Sequence, residues 1–102
     1  MNDKLKSKEV EQLFKAILSL NDVKECYDFF EDVCTINELL SLAQRFEVAR
    51  MLREQKTYLE IAEKTGASQA TISRVNRSLN YGNDGYDRVF ERLGIMSDSK
   101  DK

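Results

Sequence analysis

Proline is absent from the chain, and only four glycines occur in it. Proline breaks helix interiors and glycine weakens them, so nothing in the composition opposes an all-helical fold. Histidine is also absent, which removes the side chain most used as a general base and metal ligand near neutral pH. There is no long apolar run, and Met1 opens onto a polar, lysine-containing segment. Neither a leader nor a span of about 20 apolar residues is present. The chain is therefore expected to be cytoplasmic, with no membrane partner. The two cysteines, Cys26 and Cys34, are expected within one helix. There they stand about 12 Å apart along the axis, too far for a mutual disulfide. They read as reduced, buried apolar residues. No glycine-rich phosphate loop or metal-ligand spacing occurs, and either cysteine would lack its usual base. No enzymatic chemistry, catalytic residue or metal site is expected.

At 102 residues the chain can bury the core of one domain. Its formal net charge is −2, but the distribution says more than the total. Residues 1–34 carry five Lys and eight Asp or Glu, net −3, and residues 35–55 balance at three each. Residues 56–81 set Lys56, Lys64, Arg74 and Arg77 against Glu60 and Glu63, net +2. Residues 82–102 return to −1, with four basic and five acidic residues. An excess this modest predicts weak, salt-sensitive background binding to nucleic acid, with specificity left to groove contacts.

Residues 1–7 are polar and expected to be disordered. Val10, Leu13, Phe14, Ile17 and Leu18 recur at helical spacing and predict a helix from about Lys8 to Leu20. Asn21 or Asp22 then caps a second helix to about Val33, with Val23, Tyr27, Phe30 and Val33 inward and Cys26 and Phe29 widening that face. Thr35 and Glu38 form a capping box that opens a third helix to about Arg53. Ile36, Leu39, Leu40, Leu42, Ala43, Phe46, Val48, Ala49, Met51 and Leu52 nearly encircle it. A helix apolar on most sides must be covered on most sides, and a chain this short has little to cover it with. A symmetric homodimer is expected, the alternative being a central helix wrapped by its own chain. The stretch from Tyr81 to Tyr86 is a Gly and Asn/Asp turn cluster. A last helix follows from about Tyr86 to Leu93, with Tyr86, Val89, Phe90 and Leu93 inward and Gly94 as its stop. Residues 96–102 form a polar tail. One domain over residues 8–95 is expected.

The most informative stretch is 57–80. Thr57 and Glu60 make a capping box, Gly66 supplies a left-handed helix end, and Ser68 can cap a second helix. Ile61 and Ala62 on the first helix, and Ile72, Val75 and Leu79 on the second, form one shared apolar face. Two short helices around a tight turn with a common core make a helix-turn-helix, its second helix offered to the DNA major groove. The outward side of that helix carries Ser68, Gln69, Ala70, Thr71, Ser73, Arg74 and Arg77, with no carboxylate among them. Gln pairs with adenine, Arg with guanine or phosphate, and Ala or Thr touches the thymine methyl. The plainer alternative is a helical hairpin with a solvated polar face.

Taken together, Thr35 with Arg45 ten residues on, then Ala70-Thr-Ile-Ser-Arg74 and Asn76-Arg-Ser-Leu79, then one last helix, resembles the Trp repressor superfamily. The segment Ser73-Arg-Val-Asn-Arg-Ser-Leu-Asn-Tyr-Gly-Asn-Asp-Gly-Tyr86 is similar to its YerC/YecD branch in Gram-positive bacteria. The resemblance implies an all-α, intertwined homodimer of about six helices per chain, the first three of each interlocked. It implies a bacterial transcriptional regulator, usually a repressor, on a palindromic operator of double-stranded DNA. In the founding repressor, tryptophan lies between the central core and the reading helix, its indole between two arginines, and sets the separation of the reading heads. Arg45 and Arg74 match those arginines by motif, and Thr35, Thr71 and Ser78 match nearby hydroxyl positions. For Arg45 a solvated or salt-bridged arginine is the alternative. The chain departs from the tryptophan-binding pattern at Val75, where that pattern has a glycine that leaves room beside the ligand. The segment between the third and fourth helices is also one residue shorter. The branch is associated with control of amino-acid biosynthesis, histidine in particular. The resemblance thus implies an amino-acid corepressor such as histidine or tryptophan, histidine preferred.

The expected mechanism places two reading helices in successive major grooves, roughly 34 Å apart. Ser68 stands at a helix N-terminus where backbone N–H groups can hold a phosphate, and Gln69, Ala70 and Ser73 face base edges. Arg74 and Arg77 read either as phosphate clamps or as base readers. A different class of function is a helical interaction module whose hairpin binds a protein of the transcription machinery, for which the acidic first third is suited.

Overall fold

Helix starts are set by short polar side chains, as local sequence predicts. In the computed structural model, which describes residues 2–95, Ser7 Oγ accepts from the Val10 N–H at the start of α1 (Lys8–Leu18). Asp22 Oδ1 accepts from the Glu25 N–H at the start of α2 (Val23–Val33). At the start of α3 (Ile36–Arg53), Thr35 Oγ1 accepts from the Glu38 N–H, while Glu38 Oε1 accepts from the Thr35 N–H at 2.8 Å. That is the predicted capping box, two orphan donors satisfied reciprocally. Three further helices follow: α4 (Tyr58–Thr65), α5 (Gln69–Tyr81) and α6 (Gly85–Leu93). Among the described residues there are thus six α-helices and a single 3-10 turn at Asp3–Leu5, with no strand. The fold is all-α, as expected. The predicted polar tail at 96–102 lies outside the described residues.

One boundary and the placement of one cysteine differ from the sequence reading. Helix α1 ends at Leu18 rather than Leu20, because the Ser19 hydroxyl donates to the Ala16 carbonyl at 2.6 Å and competes with the next helical turn. Helix α2 ends at Val33, and Cys34 is extended with φ −110° and ψ 154°. The two cysteines therefore do not share a helix. Both are free thiols and half-buried.

The described residues divide into two compact units between Leu39 and Leu40, inside α3. The core lies wholly in the second unit: Val48, Ala49, Met51, Ile61, Ala67, Ile72, Val75, Leu79 and Phe90. Phe46, Leu52, Tyr58, Ala62, Tyr86 and Ile95 pack around it. The apolar faces of α4 and α5 are those the 3.6-residue period predicts. In α6, Phe90 is buried and Tyr86 half-buried, but Val89 and Leu93, expected inward, are exposed. They stand on the flank of α6 that its own chain leaves open.

The first unit has an apolar stripe without a core beneath it. No residue of α1 or α2 is buried. Leu13, Phe14 and Leu18 of α1, and Val23, Tyr27 and Val33 of α2, are exposed where periodicity placed them inward. Val10, Ile17, Cys26, Phe29 and Phe30 are half-buried. The third helix is divided in the same way. Its C-terminal half buries Val48, Ala49 and Met51, whereas Ile36, Leu40 and Leu42 remain exposed. Among the described residues, full burial on this helix, apolar nearly all round, is thus confined to its C-terminal half.

Candidate nucleic-acid interface

The interface is built from the turn outward. Thr57 Oγ1 accepts from the Glu60 N–H at 3.1 Å, and Glu60 Oε1 accepts from the Thr57 N–H at 2.9 Å, completing the predicted box at the start of α4. Gly66 closes the helix with φ +74°, its N–H donating to the Ala62 carbonyl at 2.9 Å. This left-handed geometry is the one a Cβ would strain. The Thr65 hydroxyl donates to the Ile61 carbonyl at 2.7 Å and accepts from the Ala67 N–H at 3.1 Å, so the turn is fastened from within. Ala67 itself is buried at the turn. From α3, Gln44 Nε2 donates to the Thr65 carbonyl at 3.0 Å and ties the turn to the central helix.

Helix α5 then emerges from Ser68, whose Oγ accepts from the Thr71 N–H at 3.1 Å and donates to Thr71 Oγ1 at 3.1 Å. Its inner face is set by Ile72, Val75 and Leu79, all buried, and it packs against both α4 and α6. At about 100° per residue, burying that face turns Ala70, Ser73, Arg74 and Arg77 outward on one arc, with Gln69 and Ser78 on its flanks. All six are exposed, as is Ser68. Thr71 lies at the edge, half-buried, with its hydroxyl engaged by Ser68. No acidic residue occurs between Gln69 and Tyr81, and neither Arg74 nor Arg77 pairs with a carboxylate of the described residues.

Carboxylates of the surrounding helices and their ends are engaged by arginines or by a helix cap. Arg50 donates to Glu47 and to Glu54 along α3. The Arg50 hydrogen bond holds the Glu47 carboxyl below its ordinary range, burial opposing, with the Arg50 and Lys64 charges adding to the fall. The Thr57 backbone hydrogen bond lowers Glu60 in the same direction. Arg53 Nε and Nη2 grip Asp87 of α6 at 2.8 Å each, and this bond raises the Arg53 pKa. Gln44 and Thr65 fasten the turn, and Arg53 also donates from Nη2 to the Leu79 carbonyl of α5 at 3.1 Å. Sequence offered only a weak signal for them, as polar residues in an otherwise apolar helix or at a turn.

The ligand residues named from the resemblance are placed less compactly. Arg45 is exposed on α3, and Thr71, Arg74 and Ser78 lie along α5. Thr35 belongs to the other compact unit, where its hydroxyl caps α3. Ser78 lines a cleft of about 460 Å³ with Phe46, Gly82, Asn83, Gly85, Tyr86 and Val89. Arg45, Thr71 and Arg74 do not line that cleft. Val75, the departure from the tryptophan-binding pattern, is 3% exposed in the core. Among the described residues no cluster of Cys, Asp or Glu could hold a metal ion, and no helix is long and apolar enough to cross a membrane.

With this geometry in place, the chain can be set beside known proteins. Residues 8–94 match the family described as Trp repressor protein. The uncharacterized protein YerC of Bacillus subtilis (strain 168) is 65% identical over 91 residues, 89% of this chain and 88% of the relative. The crystal structure of a TrpR-like protein from Eubacterium eligens is 82% identical with a TM-score of 0.90, covering 92% of this chain and 97% of that one. That of a candidate Trp repressor from Staphylococcus aureus is 49% identical with a TM-score of 0.88, covering 91% and 93%.

Proposed function

The chain belongs to the Trp repressor family, a family of DNA-binding regulators that are typically dimeric, and on that premise we infer that it is a homodimeric, sequence-specific repressor of amino-acid biosynthesis genes. Residues 8–95 act as one functional domain, intertwined with a second copy through the apolar faces of α1, α2 and the first half of α3. The single observation that carries the reading is the acid-free, exposed arc of α5, aimed by a turn that is capped at both helix junctions. Ser68 and the first N–H groups of α5 hold a backbone phosphate. Gln69, Ala70 and Ser73 meet base edges, Thr71 supports them from the flank, and Arg74 and Arg77 contact phosphate or guanine. Two-fold symmetry places the second reading helix one helical turn away on a palindromic operator.

A small amino acid completes the regulation by binding the reading-competent spacing better than the alternative. Arg45, Thr71, Arg74 and Ser78, the positions of the second unit matched by the resemblance, are its candidate contacts, with Thr35 matched in the first unit. Val75, where the tryptophan-binding pattern has a glycine, counts against tryptophan, and the association of the resembled branch with histidine control favours histidine. Two measurements test the function. Enrichment of a random duplex library by the protein should converge on a palindrome, and affinity for that duplex should fall steeply with salt. A protein-binding module would enrich no sequence and show no such slope. A thermal-shift panel of amino acids, with and without the enriched duplex, should then show stabilisation by one of them in mass-action proportion.

A further inference from the structure

The corner between α5 and α6 is short of its own capping groups. Helix α5 has no basic residue in its last turn, where cations normally offset the negative end of the helix dipole. Its Leu79 carbonyl is among the last four, which have no intrahelical partner. Helix α6 has the converse deficit. Asp84 occupies its N-cap position in the left-handed region with φ +62° and makes no side-chain capping bond. One side chain from a third helix answers both. Arg53, the last residue of α3, donates from Nη2 to the Leu79 carbonyl at 3.1 Å and grips Asp87, in the first turn of α6, through Nε and Nη2. The guanidinium puts positive charge at the end of α5, and the carboxylate puts negative charge at the start of α6. The pair is only about one-third exposed, so water screens it less than the pairs on α1 and α2, which are largely exposed.

We propose that Arg53, fastened to Asp87, is a positioning residue for DNA reading, setting the angle of α5 against α3 while touching no DNA itself. The proposal rests on the reading of α5 as the recognition helix. A guanidinium suits this place because its planar fork meets the carboxylate with two N–H groups and still reaches the carbonyl; an ammonium cannot present that geometry. With the fork lost, α5 keeps its apolar face in the core but its far end can swing. Groove contacts, which need fixed registration, then suffer before phosphate contacts, which do not.

The test compares Arg53→Gln, Asp87→Asn and Asp87→Glu with the unaltered protein, each well below its melting midpoint. The probes are the duplex that the unaltered protein enriches from a random library and a scrambled duplex of equal composition. Arg53→Gln and Asp87→Asn should each lose about tenfold on the enriched duplex, the scale of a lost charge-assisted hydrogen bond. Affinity for the scrambled duplex and the salt slope should stay unchanged. Asp87→Glu keeps the carboxylate and should stay close to the unaltered protein. If Arg53→Gln does not fold, Asp87→Asn carries the same expectation, since it retains the cation at Leu79. Equal losses on both duplexes, or no loss on either, would overturn the proposal. So would a salt slope reduced by about one, which marks a direct phosphate contact. Failure of the unaltered protein to enrich any duplex defeats the recognition-helix reading and this proposal with it, a result distinct from a silent Arg53→Gln.

Discussion

Gln69 and Arg77 share the exposed face of α5, yet their loss should have different consequences. A glutamine pairs with one base edge, so Gln69→Ala should relax preference at one operator position by about 1–3 kcal/mol and leave scrambled DNA unaffected. An arginine acting on phosphate serves every sequence alike, so Arg77→Ala should weaken enriched and scrambled duplexes together and flatten the salt slope by about one. Electrophoretic shifts on both duplexes across a salt series separate the two. Equal losses from Gln69→Ala on both would remove it from base reading. The legibility of these residues has a physical basis. Ile72, Val75 and Leu79 repeat at helical spacing, so knowing which side is buried fixes which side is not. Residues whose roles depend on distant partners were hidden. Gln44 meets Thr65 across 21 positions and Arg53 meets Asp87 across 34, and no local pattern encodes either meeting.

Among the elements, α4 and its turn are the part read most completely from sequence, because caps act within three or four residues. Gly66 ends α4 at φ +74°, and Gly66→Ala should cost about 1 kcal/mol, read as a lower midpoint in urea unfolding. Gly66→Asn should cost less, because asparagine tolerates the left-handed region. Boundaries that depend on side chains competing with the backbone were less legible, as at Ser19, which ends α1 early. The helices also carry a pH dependence. Glu47 is held below its ordinary pKa first by the Arg50 hydrogen bond, and Glu60 by the Thr57 backbone N–H. A carboxylate depressed in the folded state contributes stability that is fully present above its unfolded pKa, about 4.3 for glutamate, and is lost as the pH falls through the folded value. Melting midpoints measured from neutral pH down to about pH 3 should therefore fall below about pH 4.5. Glu47→Gln should flatten that fall while lowering the midpoint at neutral pH. An unchanged acid limb in Glu47→Gln would show that this pair contributes nothing to acid sensitivity.

For the molecule as a whole, the decisive feature is where the core stops. The buried residues all belong to the unit beginning at Leu40, while α1 and α2 present apolar stripes with nothing fully buried beneath them. Periodicity shows which faces are apolar, but it carries no information on what covers them. Leu18 sharpens the choice between a dimer and a solitary protomer, because it is 82% exposed in the chain alone. On a solitary protomer, Leu18→Asp is a surface change worth no more than about 0.5 kcal/mol either way. In an intertwined dimer the same change places a carboxylate in an apolar interface and should cost at least about 2 kcal/mol. Sedimentation equilibrium should show the unaltered protein as a dimer and Leu18→Asp shifted toward monomer. The melting midpoint of the unaltered protein should rise with its concentration, as mass action requires when folding and association are coupled. A concentration-independent midpoint together with a tolerant Leu18→Asp would mean that these faces are solvated. The two reading helices would then lack the hub that spaces them, and the operator could not be a palindrome read by one assembled pair.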